Sequence, residues 1–328
     1  MGGPAVTVII VDYNSGDYLQ PCVEALARQS FTDFEVVIAD NASTDGAADR
    51  LRLPDDRFRI RRMGSNLGFA AANNRVADQS GAEFLALLNA DTRPEPEWLG
   101  ALVAAARAHP EAASFGSVQI RLDDPDTFDG VGDVWHVAGI AWRALEGQPR
   151  RPIADAAIMG PCAAGALYRR ADFQAIGGFD ERFFCYCEDI DLALRLQLAG
   201  RGSRRVAGAV LRHAGSGTTG RVSEFTLYHG HRNRVWTFLK NTPGLWLWLF
   251  LPYHVAADIW LIWRYRKQEG VSRILERAYL DAWRGRAAYL RERRNADPAR
   301  FRRMLRLMAV TPWSASRRLD ITAPAERL

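Results

Sequence analysis

Apolar positions in the first hundred residues follow two alternating rhythms. Val6 to Val11 is an unbroken β-branched and apolar run, and Glu35 to Asp40 is a second that ends in a carboxylate. Short continuous runs of this kind predict strands buried on both faces. Between them, Leu19, Cys22, Val23 and Leu26 stand at helical spacing within Tyr18 to Gln29. The alternation continues with a strand over Arg59 to Arg62, a helix over Phe69 to Asp78, a strand over Phe84 to Leu88 and a helix over Pro96 to Ala108. Strands and helices taking turns predict an α/β fold with a doubly wound, mostly parallel sheet. Ligands bind such sheets beyond the carboxyl ends of the strands, so the residues that close each strand are the ones to inspect.

After Gln119 the alternation breaks. Asp123 to Gln148 is rich in Asp, Gly and aromatic residues and is expected to be an irregular insertion. A strand (Cys162 to Tyr168), a Gly177-Gly178 turn and a helix (Glu188 to Leu198) follow, and from Glu224 onward the chain reads as helices. Leu245 to Trp263 is long, apolar and Trp-rich, but Pro252, His254 and Asp258 interrupt it. A spanning helix needs ~20 apolar residues with few charges. Trp246, Trp248, Trp260 and Trp263 beside a basic flank instead predict a segment lying in a membrane interface, with a buried helical hairpin as the competing reading. From Arg264 to Arg306 fourteen Arg or Lys face five Asp or Glu, so this stretch seeks an anionic surface, either phospholipid or nucleic acid.

A chain of 328 residues that is 48% hydrophobic can bury a full core. The expected organisation is one large domain over 1–222, with halves 1–120 and 121–222, and a helical, Trp-rich and basic extension over 223–328. Four cysteines are too few and too scattered for a disulfide framework, which points to a reducing, cytoplasmic setting. Cys185-Tyr-Cys187 is one residue short of zinc-knuckle spacing and has no partner pair. No basic and apolar leader opens the sequence, and Val6 stands where a myristoylation signal needs Ser or Thr.

Chemistry enters at the strand ends. Asp12, Asp40 and Asp91 each close or follow a strand of one parallel sheet. Carboxylates sharing a rim repel one another unless a cation or hydrogen-bond donors neutralise them, and a nucleotide with a divalent metal supplies both. Helix capping accounts for any single one of them, but less readily for three.

These residues sit in longer blocks. Val6 to Asn14 (VTVIIVDYN), Ile38 to Gly46 (IADNASTDG), Asn66 to Asn73 (NLGFAAAN) and Leu87 to Thr92 (LLNADT) resemble, in order, the opening blocks of family 2 glycosyltransferases. The resemblance spans about residues 6 to 220 and favours a bacterial, rhamnosyltransferase-like branch. It implies the GT-A fold, with a nucleotide-binding half followed by an acceptor half. It also implies a nucleotide diphosphate sugar as donor, dTDP-rhamnose being one candidate, and a glycan or lipid-linked acceptor in surface polysaccharide synthesis.

Carried over residue by residue, Val11, Tyr13, Asp40, Asn66, Gly68, Asn73, Asn89 and Asp91 would surround the nucleotide, with Asp40 on its base or ribose. Asp91 matches the last carboxylate of the family's Asp-x-Asp motif, which holds the metal, while Asn89 departs from its first position. Phosphate oxygens, water and another side chain, His213, would complete the shell of a Mg2+ or Mn2+ ion, and an imidazole tilts the choice toward Mn2+. The block from Gly177 to Leu192 (GGFDERFFCYCEDIDL) resembles the family's base motif. It implies Asp189 as the base that deprotonates the acceptor, with Glu188 beside it to raise its pKa or orient the acceptor. Acids at a helix start also complement its dipole, which explains their position but not the whole string.

Three further features carry less. Gly215 to Gly220 (GSGTTG) satisfies G-x-G-x-x-G but lacks the surrounding unit of a dinucleotide fingerprint, and is expected to be a mobile loop after His213. In His231-Arg-Asn-Arg234, Arg232 or Arg234 could approach donor phosphates, as the family's Arg-Asn segment implies, although a solvated helix face is the cautious expectation. The rival functions are a nucleic-acid-binding protein and an inactive scaffold. The first leaves the acidic strand ends unexplained, so no nucleic acid is expected as a partner, the second would show no donor hydrolysis or transfer with any nucleotide sugar, and the basic extension is assigned to peripheral contact with the inner face of the cell membrane.

Overall fold

The computed structural model describes residues 3–215, 223–293 and 297–310. Its strands are β1 (Val6–Asp12), β2 (Phe34–Asp40), β3 (Phe58–Arg62), β4 (Phe84–Leu88), β5 (Thr92–Pro94), β6 (Ala112–Arg121), β7 (Phe128–Gly130), β8 (Asp133–His136), β9 (Ile140–Arg143), β10 (Ala156–Ile158), β11 (Gly165–Arg169) and β12 (Gly202–His213). The helices are α1 (Leu19–Ala27), α2 (Ala47–Arg50), α3 (Gly68–Ala77), α4 (Trp98–Ala108), α5 (Arg170–Ala175), α6 (Glu188–Leu198), α7 (Glu224–Asn241), α8 (Trp246–Tyr265), α9 (Glu269–Glu292) and α10 (Pro298–Leu305).

A ten-stranded sheet runs in the order β10-β12-β6-β11-β4-β1-β2-β3, with β5 beside β12 and β7 beside β6. The pairs β1–β2, β1–β4, β2–β3 and β6–β12 are parallel, and β11 is antiparallel to both neighbours. The sheet is therefore mixed but mostly parallel, and it passes through both halves of the domain without a break. Alternation along β1 explains the layering: Val6, Val8 and Ile10 pack with α1 and α4, whereas Ile9 packs with α3, α5 and α6 on the other face. β1 lies between β2 and β4, so their connecting helices leave on opposite faces and open a crevice at the carboxyl ends of β1 and β4.

The stretch from Asp123 to Gln148 is more ordered than its composition implied. β8 and β9 form an antiparallel pair, Asp133 opposite Arg143 through His136 opposite Ile140, and Gly139 at φ +71° makes the turn. Buried Val134 and Trp135 hold the pair to the body, and strands of four residues are too short to show a period in sequence.

The C-terminal helices pack on the outer side of α6. Phe238, Leu247, Phe301 and Met304 cluster with Ile190, Leu194 and Leu198. On α9 the stripe Leu275, Ala278, Ala282, Tyr289 is buried at helical spacing. Gly285 continues that stripe because a Cβ there would lie 2.9 Å from the Trp236 indole. Among the described residues, α8 is the one helix long and apolar enough to cross a membrane. Leu247 and His254 are its buried residues, so it is not the core of a buried hairpin. Trp248, Trp260 and Trp263 are 65%, 54% and 55% exposed.

Candidate active site

The crevice is a cavity of about 850 Å³. Val11, Tyr13, Asn66, Gly68, Asn89, Asp91, Glu188, Asp189 and His213 all line it, so nine of the sequence-derived candidates come together. Asp40 and Asn73 stand outside the lining. Residues 216–220, most of the glycine-rich GSGTTG motif, lie outside the described residues.

The nucleotide-side wall is built from the ends of β1 and β2. Asp12 and Asp40 are in register on neighbouring strands. Burial raises the Asp12 carboxyl, which bonds the Ser15 hydroxyl. Burial also pushes Asp40 up, but the Ser43 N–H (3.0 Å) and the Arg62 guanidinium (2.7 Å) outweigh it and hold Asp40 below its ordinary value. Asn41, one residue on, donates from Nδ2 to Asn66 Oδ1 (3.0 Å) and Gly68 O (3.2 Å), and its Oδ1 accepts from Leu67 N (2.9 Å). It thereby joins β2 to the start of α3. Asn73 is buried within α3 and donates to Phe69 O at 2.9 Å.

The floor is a chain of buried groups. His213, at the end of β12, holds Asp129 of β7 through Nδ1 at 2.7 Å and turns Nε2 toward Asp91 Oδ1 at 3.2 Å. Asp129 is in turn paired with Arg143 of β9. Burial alone would lower the His213 pKa, but Asp129 and Asp91 raise it. A carboxylate that fixes one imidazole nitrogen leaves the other free as a metal donor. Nε2 makes no aligned hydrogen bond among the described residues, so Asp91 and His213 present one oxygen and one nitrogen donor to a common point. That pair suits Mg2+ or, better, Mn2+. Among the described residues no three His, Cys, Asp or Glu side chains form a metal-holding group, so an ion held by this pair would take its remaining ligands from phosphate and water.

The opposite wall begins at α6. Asp189 accepts from Ala163 N (3.2 Å) and Ile190 N (2.8 Å). Burial raises its pKa, and those two N–H groups with Arg143 pull it back. Burial and then the neighbouring Asp189 push Glu188 well above its ordinary value, and they act on Asp133 of β8 in the same order. Glu188 Oε2 and Asp133 Oδ2 are buried without a hydrogen-bond partner among the described residues.

Asp129, Asp133 and Arg143 were not singled out in the sequence. The available signal was the acid and glycine content of Asp-Gly-Val-Gly-Asp (129–133), which gives no pairing. The cautious expectation for Arg232 and Arg234 is corrected here. Arg234 is buried, donating to Gly139 O (2.9 Å) and Tyr279 Oη (3.1 Å) and pairing with Asp258, because these groups supply the partners that solvent otherwise would. Arg232 donates to Phe183 O at 3.2 Å and lies over the Trp236 ring. All four cysteines are free thiols.

Known proteins share this fold. Over 272 residues the chain is 29% identical to N-acetylglucosaminyl-diphospho-decaprenol L-rhamnosyltransferase of Mycobacterium tuberculosis, covering 73% of this chain and 85% of that one. The fold is similar to that of the mannosyltransferase PcManGT from Pyrobaculum calidifontis in complex with GDP-Man and Mn2+. Its TM-score is 0.54 at 17% identity, with 86% of this chain and 87% of that chain covered. It is also similar to S. aureus TarS 1-349 in complex with UDP-GlcNAc, with a TM-score of 0.52 at 19% identity and coverage of 78% and 73%. The family described as Glycosyl transferase family 2 matches residues 7–177, more than half of the sequence. The chain is therefore a member of glycosyl transferase family 2, with a GT-A type α/β fold and a rhamnosyltransferase-like sequence.

Proposed function

We propose that this chain is an inverting, metal-dependent sugar transferase that takes its sugar from a nucleoside diphosphate donor, with dTDP-rhamnose as the leading candidate, and adds it to a lipid-linked glycan. The observation that carries this is the meeting of Asp91, His213 and Asp189 in one cavity. The relative from M. tuberculosis, whose name specifies a rhamnosyl group and a diphospho-decaprenol acceptor, supports the choice of substrates. Asp189 takes the proton of the acceptor hydroxyl as that oxygen bonds to the anomeric carbon from the face opposite the diphosphate. The bond to the diphosphate breaks with its electron pair leaving on the phosphate oxygen. Asp91 and His213 would hold a Mg2+ or Mn2+ ion, whose chemistry is to neutralise charge on the departing diphosphate. Val11 and Tyr13 flank the nucleoside. Asp40, beside this wall but outside the cavity lining, is assigned to the base or ribose, since a carboxylate already accepting two bonds has capacity for more.

The test is Asp189→Asn. Transfer should fall by about 100-fold or more, while UDP, GDP, dTDP and CDP, scored by thermal shift with and without Mn2+, keep their wild-type ranking. Undiminished turnover would remove Asp189 as the base.

The proposed workplace is the cytoplasmic face of a membrane. Trp248, Tyr253, Ile259, Trp260 and Trp263 are exposed on α8, and Arg264, Arg266 and Lys267 follow them at the surface. Aromatic and basic groups in this order suit an anionic bilayer surface. Leu261 of the same helix lines the cavity, which brings that surface to the acceptor's entrance. In flotation assays the chain should rise with phosphatidylglycerol vesicles and far less with phosphatidylcholine. Replacing Trp260 and Trp263 together by Glu should abolish the difference, and indifference of the wild type to vesicle charge would defeat the assignment.

A further inference from the structure

The segment that leads into Asp189 is held in an unfavourable shape. Phe184, Tyr186 and Cys187 have φ of +66°, +71° and +66°, values that side chains other than glycine rarely adopt. Phe184, with ψ −61°, is the centre of a γ-turn closed by Cys185 N–H on Phe183 O at 2.8 Å, a rare and strained turn, and Cys187, with ψ 0°, is left-handed. Three positive-φ, non-glycine residues within four positions persist only when the surroundings over-determine them.

One side chain supplies most of that determination. Asn233 of α7 is fully buried, and its Nδ2 lies 2.8 Å from each of Phe183 O, Cys185 O and Tyr186 O, so its two N–H groups are shared among three carbonyls. Its Oδ1 accepts from Arg232 Nε at 3.0 Å. Carbonyls on one side and a guanidinium on the other leave the amide a single sensible orientation. On the far side of the segment, Ala70 N donates to Phe184 O at 3.3 Å. Gly68, at φ +80°, has room for no more than hydrogen there: a Cβ would stand 2.5 Å from Phe184 O. The same helix holds both flanks of the block, since Lys240 bonds Asp180 (2.7 Å) and Asp191 (3.1 Å), and Asn241 donates to Asp191 (2.8 Å). The segment is thus wedged between the nucleotide-side α3 and the C-terminal α7, and its last residue is the N-cap of α6.

We propose that Asn233 is a positioning residue that fixes the path of Phe183 to Cys187 and thereby the placement of the Asp189 carboxylate in the cavity, a role that rests on Asp189 being the base proposed above. Helix α7 then sets the placement of the base as well as packing on α6.

The test is Asn233→Asp, which keeps the pairing with Arg232 but turns a carboxylate oxygen on three carbonyls. A displacement of the base by about 1 Å should lower kcat by about 100-fold, with donor KM and nucleotide affinity within about threefold of wild type. Asn233→Ser retains one donor and should lose about tenfold in kcat while remaining folded. Leu275→Ala, buried in α9 and absent from the cavity lining, provides a control matched for melting temperature that should keep kcat within about threefold. If both Asn233 variants lose no more kcat than that control, or if nucleotide affinity falls in step with kcat, Asn233 does not position the base. Asp189→Asn, run alongside, separates the two assignments. Turnover retained there sinks the base and the clamp together, whereas an inactive Asp189→Asn beside active Asn233 variants sinks the clamp alone.

Discussion

The two walls of the cavity treat their carboxylates in opposite ways. On the nucleotide side Asp40 is surrounded by donors, with Ser43 N–H and Arg62 holding it ionised. On the α6 side Glu188 and Asp133 are buried with an unpartnered oxygen each and are driven toward their protonated forms. The first arrangement is complete without a ligand. The second keeps hydrogen-bonding capacity open toward the cavity. On the reading proposed above, the nucleotide side is preorganised by the sheet, whereas the α6 side has polar groups left to pair with an acceptor.

Between the walls lies the chain from Arg143 through Asp129 and His213 to Asp91, and cutting it should have the largest effect. Asp129→Asn preserves shape but removes the charge that fixes the His213 Nδ1 proton and pairs with Arg143. The Mn2+ concentration needed for half-maximal transfer should rise about 10- to 100-fold, and Mn2+-dependent thermal stabilisation should weaken in parallel. An unchanged Mn2+ requirement would mean that this floor is not a metal site, and the contrast between the walls would stand without it.

How much of this was legible in the sequence follows from the same contrast. β1, β2 and β4 are continuous apolar runs closed by polar residues, so the sheet and the residues at its rim could be read directly. Asp129 and His213 are 84 residues apart in sequence and meet because β7 and β12 both pair with β6, a contact that no local period records. Asp133 and Arg143 face each other only because Gly139 turns a short hairpin. For Arg234 the sequence leaves donor phosphates and a solvated helix face both open, and the structure puts it at the cavity but buried. The backbone of Gly139 and the side chains of Asp258 and Tyr279, all distant in sequence, supply its partners instead. Rim residues announce themselves by position, whereas the residues that tune them are joined through tertiary pairing.

The smallest expected effects test the contrast most directly, through stability rather than catalysis. A carboxyl whose pKa is raised on folding stays protonated in the native chain, while the unfolded chain ionises near pH 4. Glu188 therefore favours the fold fully only below that pH, and its contribution is lost as pH rises toward its native value. Asp40 has the opposite sign: its lowered pKa stabilises the fold above the ordinary aspartate range and that stability fades as pH falls through its native value. At pH 7.5 Glu188→Gln should raise unfolding stability, because an amide cannot ionise and so escapes the cost of keeping the buried carboxyl protonated, and the gain should shrink toward pH 4. Asp40→Asn should lower it slightly, since solvent around half-exposed Arg62 limits the value of the pair, and that loss should fade only below about pH 4, as pH falls through the lowered native value of Asp40. Denaturant unfolding of both variants from about pH 8 down to about pH 2.5 measures the two slopes. Slopes of the same sign would show that the two walls do not differ in the way their carboxylates are held.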